Sequence, residues 1–295
     1  MTRACAWLPA LGLVLPLLAS GHAQAFCRTN SCDPARGENC TVDTNGCRQG
    51  AKPLYWGVNP VPFVVQADGS AKNHIDAAAF ETVLGAAFST WATANCGSGK
   101  HPTIAAVSMG TTPTDTVEYT PGQSNANIFM FRDDTWMATI PGSALALTTV
   151  SYDWKTGQIY DADVEVNGTG GNITNGKPTD GADLPSIMTH EIGHFLGLDH
   201  SSKKTATMYI SYEAGKGNLR TLDPDDVAAI CTIYPPPGPS THSVGTINVV
   251  EAPLKGCALA AGGSAHGTRY AWLASALGLL CVRRVRRARR ARPVQ

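Results

Sequence analysis

The run His190-Glu191-Ile192-Gly193-His194-Phe195-Leu196-Gly197-Leu198-Asp199-His200 constrains this chain more than any other stretch. His190 and His194 stand four apart, so on a helix both imidazoles leave one face and can grip one ion. The helix must be regular through both positions and must then stop at once. Gly197 supplies the stop, because glycine adopts the backbone angles of a sharp turn. The turn returns His200 as a third ligand. Three neutral ring nitrogens leave a fourth position open for water, the arrangement of catalytic rather than structural Zn2+. Such an ion lowers the pKa of its water to about 7, and Glu191, beside the first ligand, is placed to take the proton. The chemistry expected is attack on a carbonyl, with Glu191 returning the proton to the leaving amine.

The surrounding sequence supplies elements to carry this run. Val61 to Val65 reads as a strand ended by Asp68-Gly69. Asp76 precedes a helix to about Asn95, with Phe80, Val83/Leu84, Ala87/Phe88 and Trp91 at helical spacing. Short strands are expected at Ile104 to Met109, Ile128 to Phe131, Leu145 to Tyr152 and Ile159 to Val166. The last two are joined by a hairpin at Asp153-Trp154-Lys155-Thr156-Gly157. A Gly/Asn-rich loop precedes the helix Leu184 to Leu196, capped by Asp183. A last helix starts at Asp223-Pro224 and ends near Ile233. Helices that do not alternate one for one with strands predict an α+β fold.

The eleven-residue run matches H-E-x-x-H-x-x-G-x-x-H and resembles the metzincin metallopeptidases. Thr207-Met208-Tyr209 resembles their Met-turn, which makes Met208 the residue beneath the metal. Ser201 after the third His is similar to the matrixin branch. The resemblance implies a metzincin-like catalytic domain: a twisted mixed sheet with an active-site helix and a C-terminal helix. It also implies an S1′ pocket lined by Tyr212 and by Ile210, which stands where matrixins carry Pro. Asp225-Asp226 resembles the paired Asp that supports the Met-turn and the N-terminus. Leu145 to Thr149 would be the edge strand above the cleft. Asp161, Asp163 and Glu165 lie where matrixins place Ca2+ ligands, so Ca2+ is a second expected ion; the same alternation also fits a solvated face. The implied activity is zinc-dependent endopeptidase action on protein or peptide substrates. The rival expectation is a catalytically silent surface binding or adhesion module that keeps the fold.

Both ends read as signals. Met1-Thr2-Arg3, an apolar stretch and Ala23-Gln24-Ala25 make residues 1–25 a signal peptide. Residues 26–52 form a Cys-rich N-terminal segment, in which Cys27, Cys32, Cys40 and Cys47 allow three disulfide pairings; it is a candidate cover for the cleft. The catalytic domain spans 53–234, a Pro-rich linker 235–256 and a tail 257–295. Gly256-Cys257, a short apolar run and an Arg cluster make the tail similar to the myxobacterial C-terminal sorting signal, or to a plain membrane anchor. The chain is therefore expected to be exported, and either anchored at the cell surface, with a link to the cell envelope, or secreted after tail processing. Cys96 and Cys231 each end a helix and are expected to pair; otherwise they are separate buried thiols. From Phe26 to Gly256 there are 14 Lys and Arg against 23 Asp and Glu, a net −9, which excludes the basic face a nucleic-acid partner needs. A monomer is expected.

Overall fold

In the computed structural model, residues 25–123, 125–136 and 144–236 are described, together with the backbone of 257–262. The segments expected to act as signal peptide and Arg-rich tail lie outside the described residues, and among these no helix is long and apolar enough to cross a membrane. Eight strands form one mixed sheet: β1 (Tyr55–Trp56), β2 (Val61–Gln66), β3 (Ala106–Thr112), β4 (Ile128–Arg132), β5 (Ala144–Tyr152), β6 (Gln158–Asn167), β7 (Ser211–Glu213) and β8 (Cys257–Gly262). Their order is β7-β8-β5-β6-β4-β2-β3, with β1 beside β6. β6, β4, β2 and β3 run parallel to one another, while β5 is antiparallel to both β6 and β8.

The described residues form three α-helices, α1 (Ala77–Ala92), α2 (Leu184–Phe195) and α3 (Pro224–Ile233), of which α1 and α2 pack on the sheet. Asp76 caps α1 by accepting from Ala79 N, and Asp183 caps α2 by accepting from Ser186 N. Asp223 and Asp226 close a capping box on α3. The apolar stripe of α1 lies on the parallel strands, where Phe63, Phe88, Phe129 and Phe195 stack ring on ring at 4.9–5.8 Å. Trp91 ties α1 to α2 by donating from Nε1 to Thr189 O at 2.7 Å. The sheet and helices are thus the expected mixed α/β architecture.

Three disulfides brace the body. Cys96–Cys231 joins the loop after α1 to α3, as expected from their positions. The early cysteines pair as Cys27–Cys47 and Cys32–Cys40. Their segment does not stand apart: Cys27–Arg28 pairs antiparallel with Leu198–Asp199, and Thr29 Oγ1 donates to Leu198 O at 2.8 Å. It therefore backs the turn that follows α2.

Candidate metal centre

α2 holds His190, Glu191 and His194 fully or almost fully buried. Gly193, between the two histidines, faces Met208 and Trp91: a Cβ built there would stand 2.2 Å from Met208 Sδ and 3.0 Å from the Trp91 ring. The helix can pack this closely only without a side chain at that point. Gly197 adopts φ +96 and approaches Leu54 O, and there the chain turns toward His200.

The ligand atoms of His190, His194 and His200 lie within 4.8 Å of one another. His190 Nδ1 donates to Thr207 O at 2.6 Å and His194 Nδ1 donates to Leu198 O at 2.9 Å. A carbonyl only accepts, so each Nδ1 carries the proton and each Nε2 presents a bare lone pair. The two Nε2 atoms face each other at 3.1 Å, where lone pairs repel unless a cation sits between them. Buried His200 Nε2 and Glu191 Oε1 have no protein partner. Burial, then the charge of His194, lowers His190 to about 3; burial also lowers His194 and His200. Neutral imidazoles with converging lone pairs fit a Zn2+ ion. A second cluster, Cys32, Glu38 and Cys40, offers no thiolate, because both cysteines are in a disulfide.

Glu191 is oriented by a residue that sequence reasoning missed. Thr148 of β5 donates from Oγ1 to Glu191 Oε2 at 2.6 Å, leaving Oε1 buried and without a hydrogen-bond partner. Burial raises Glu191 to about 8, opposed by that hydrogen bond. Nothing in the sequence joins residues 43 apart, and Thr148 does not stand out in a strand that also carries Thr149 and Ser151.

Met208 is fully buried, with its Sδ packed against α2 at Gly193. Its turn is held from α3: Asp226 accepts from Thr207 N at 2.7 Å and from Met208 N at 3.1 Å. Asp225 accepts from Ser201 Oγ at 2.7 Å and from Ala25 N at 2.8 Å, so the paired Asp ties both the Met-turn and the N-terminal segment. Tyr212 is buried, with its hydroxyl donating to Lys216 O and accepting from Asp183 N. Ile210 is 49% exposed, two residues before it. Two expectations are corrected. The strand at Leu145 to Thr149 is not an edge, because β8 pairs along its outer side. Asp161, Asp163 and Glu165 are not a solvated face: all three are buried under neighbouring strands and loops, and Arg132 pairs with Glu165.

Fold and site together are similar to those of a matrixin-type, metzincin-like catalytic domain. The matrixin family profile matches residues 110–235, a stretch that contains α2, all three histidines and Met208. The chain is 26% identical to karilysin of Tannerella forsythia over 221 residues, which is 73% of this chain and 41% of that protein. It is 48% identical to Metalloendoproteinase 1-MMP of Arabidopsis thaliana over 54 residues, 18% of this chain and 15% of the relative. Against human Matrix metalloproteinase-16 the identity is 40% over 78 residues, 25% and 13% of the two chains. The matched stretches cover less than half the length of each of these relatives.

Proposed function

We propose that this chain is a zinc-dependent endopeptidase in which His190, His194 and His200 hold the metal and Glu191 is the general base and acid. The convergence of three histidine ligand atoms beside an unpartnered buried carboxylate oxygen carries this reading. Zn2+ bound there would supply a Lewis acid for the scissile carbonyl and acidify a water. The chain's own groups do the rest. An extended peptide would be held by main-chain hydrogen bonds along the outer side of β5, in the place that β8 takes in this structure. Thr148 fixes the Glu191 carboxylate, whose Oε1 takes a proton from the attacking water and passes it to the departing nitrogen. Met208 packs against α2 at Gly193, and Tyr212 and Ile210 border the pocket for the side chain after the cleavage point.

Three disulfides support action outside the cytoplasm, since such bonds persist in oxidising compartments. Export as a monomer, with the tail linking it to the cell envelope, is part of the same reading. So is Ca2+ as a second ion near Asp161 and Asp163. The test is a mixed peptide library incubated with and without a zinc chelator, with cleavage sites read by mass spectrometry. Glu191→Ala should retain one zinc per chain and lose about 10²–10⁴-fold in kcat. Equal cleavage by both proteins would assign the hydrolysis to a contaminant and end the proposal.

A further inference from the structure

β8 lies between two strands that border the metal centre. It runs antiparallel to β5, with Cys257 opposite Thr148, Ala258 opposite Leu147 and Ala260 opposite Ala144. It runs parallel to β7, with Ala260, Ala261 and Gly262 opposite Ser211, Tyr212 and Glu213. Thr148 is the residue that holds Glu191, so the backbone at Cys257 pairs with the strand position that orients the candidate base. The other end of β8 pairs with Tyr212. A backbone between two strands uses both of its hydrogen-bonding edges, which is how an extended peptide is gripped. The register shift between Ala258 and Ala260 sets Leu259 against a longer stretch of β5, between these two anchorages.

We propose that Cys257–Gly262 is the chain's own occupant of the substrate cleft, bound as a peptide would be and closing the cleft to other peptides. This rests on the endopeptidase reading for the meaning of the cleft. Sequence and reach agree with it. The segment Cys257-Ala258-Leu259-Ala260-Ala261-Gly262 has no charge and no proline, so nothing in it opposes an extended backbone. The 22 residues from 235 to 256 connect it to the end of α3. Extended, such a linker spans about 70 Å, ample to reach round a domain of this size. A tether also raises the local concentration to the millimolar range, so a weakly binding segment would still fill the cleft. The chain is then self-limited, and a partner or protease that draws the tail away opens it.

The test uses the full zinc-loaded chain carrying Glu191→Gln, so that no turnover alters the tail. Amide hydrogen exchange at Ala144–Thr148 is compared with that of the same chain bearing Ala258→Pro and Ala260→Pro. Proline removes the ladder N–H at both positions. Exchange along β5 should rise about tenfold, and a labelled peptide of the 257–262 sequence, with Ser for Cys257, should bind about tenfold more tightly. Valine at the same two positions keeps both N–H groups and should leave exchange as it was. Equal exchange and equal peptide binding in the parent and proline chains would overturn the proposal. In chains with Glu191 restored, altered exchange without hydrolysis of any peptide would leave the occupancy standing and sink the endopeptidase reading.

Discussion

The hydroxyl of Thr148 decides which oxygen of Glu191 is left without a hydrogen-bond partner. By accepting at Oε2, the carboxylate leaves Oε1 as its working atom, and the bond also restrains the rise in its pKa that burial causes. Thr148→Val keeps the shape of the side chain and removes the bond. Zinc content should stay at one per chain, because no histidine is touched. kcat should fall about tenfold, as a misoriented base loses part of its contribution. The acid limb of the kcat/KM profile should move to higher pH, because a lowering influence on Glu191 is gone while the base must be ionised to act. Unchanged kcat with an unmoved acid limb would reduce Thr148 to packing. The triad itself was legible in the sequence because its spacing alone fixes its geometry: four residues on a helix, a glycine turn, a return. Thr148 was not, because its meeting with Glu191 depends on how β5 packs on α2.

At the scale of elements, α2 is pressed between α1 and the Met208 turn, and Gly193 is where it has no room. Gly193→Ala should destabilise the fold by about 1–3 kcal/mol through overpacking, since Met208 and Trp91 are themselves fully buried. Thermal unfolding measures that loss, and zinc titration should show weaker binding as Met208 is displaced from α2. A wild-type melting curve and wild-type zinc affinity would show that the site relaxes freely. The long elements were readable from periodicity and caps: Asp76, Asp183 and Asp223 each cap the helix expected of them. α1 stops at Ala92 rather than near Asn95, because Thr93 leaves helical geometry and caps the chain. Strands as short as β1 and β7 carry no period of their own. They exist because β6 and β8 offer them edges, and only the folded sheet reveals that. The turn behind His200 is likewise backed by a segment stapled through Cys27–Cys47, a pairing that spacing alone left open.

Across the whole molecule, the sheet also buries carboxyls outside the histidine triad, and this sets a pH dependence of stability. Asp161 and Asp163 share one face of β6 and are almost inaccessible to solvent. Burial, then the neighbouring carboxylate, raises Asp161 to about 8; burial raises Asp163 to about 7. A carboxyl whose folded pKa lies above its unfolded value holds a proton that the unfolded chain has released. Its contribution is therefore complete below the unfolded value near 4 and is lost as pH rises toward 7 and 8. Each retained proton tilts stability by about 1.4 kcal/mol per pH unit inside that window. Asp161→Asn removes one such proton, so its stability should fall less steeply than wild type between pH 5 and 8, as read by denaturant unfolding in a chelator. Parallel slopes would mean that Asp161 is ionised throughout. Addition of Ca2+ separates the two fates of the pair. An ion bound at both carboxylates favours their charged forms, so it should restore wild-type stability at pH 8, act weakly at pH 5, and do little for Asp161→Asn. The alternating acids of β6 would then be a cation site built into the sheet. An equal response to Ca2+ at both pH values would instead leave them as a buried pair sharing a proton.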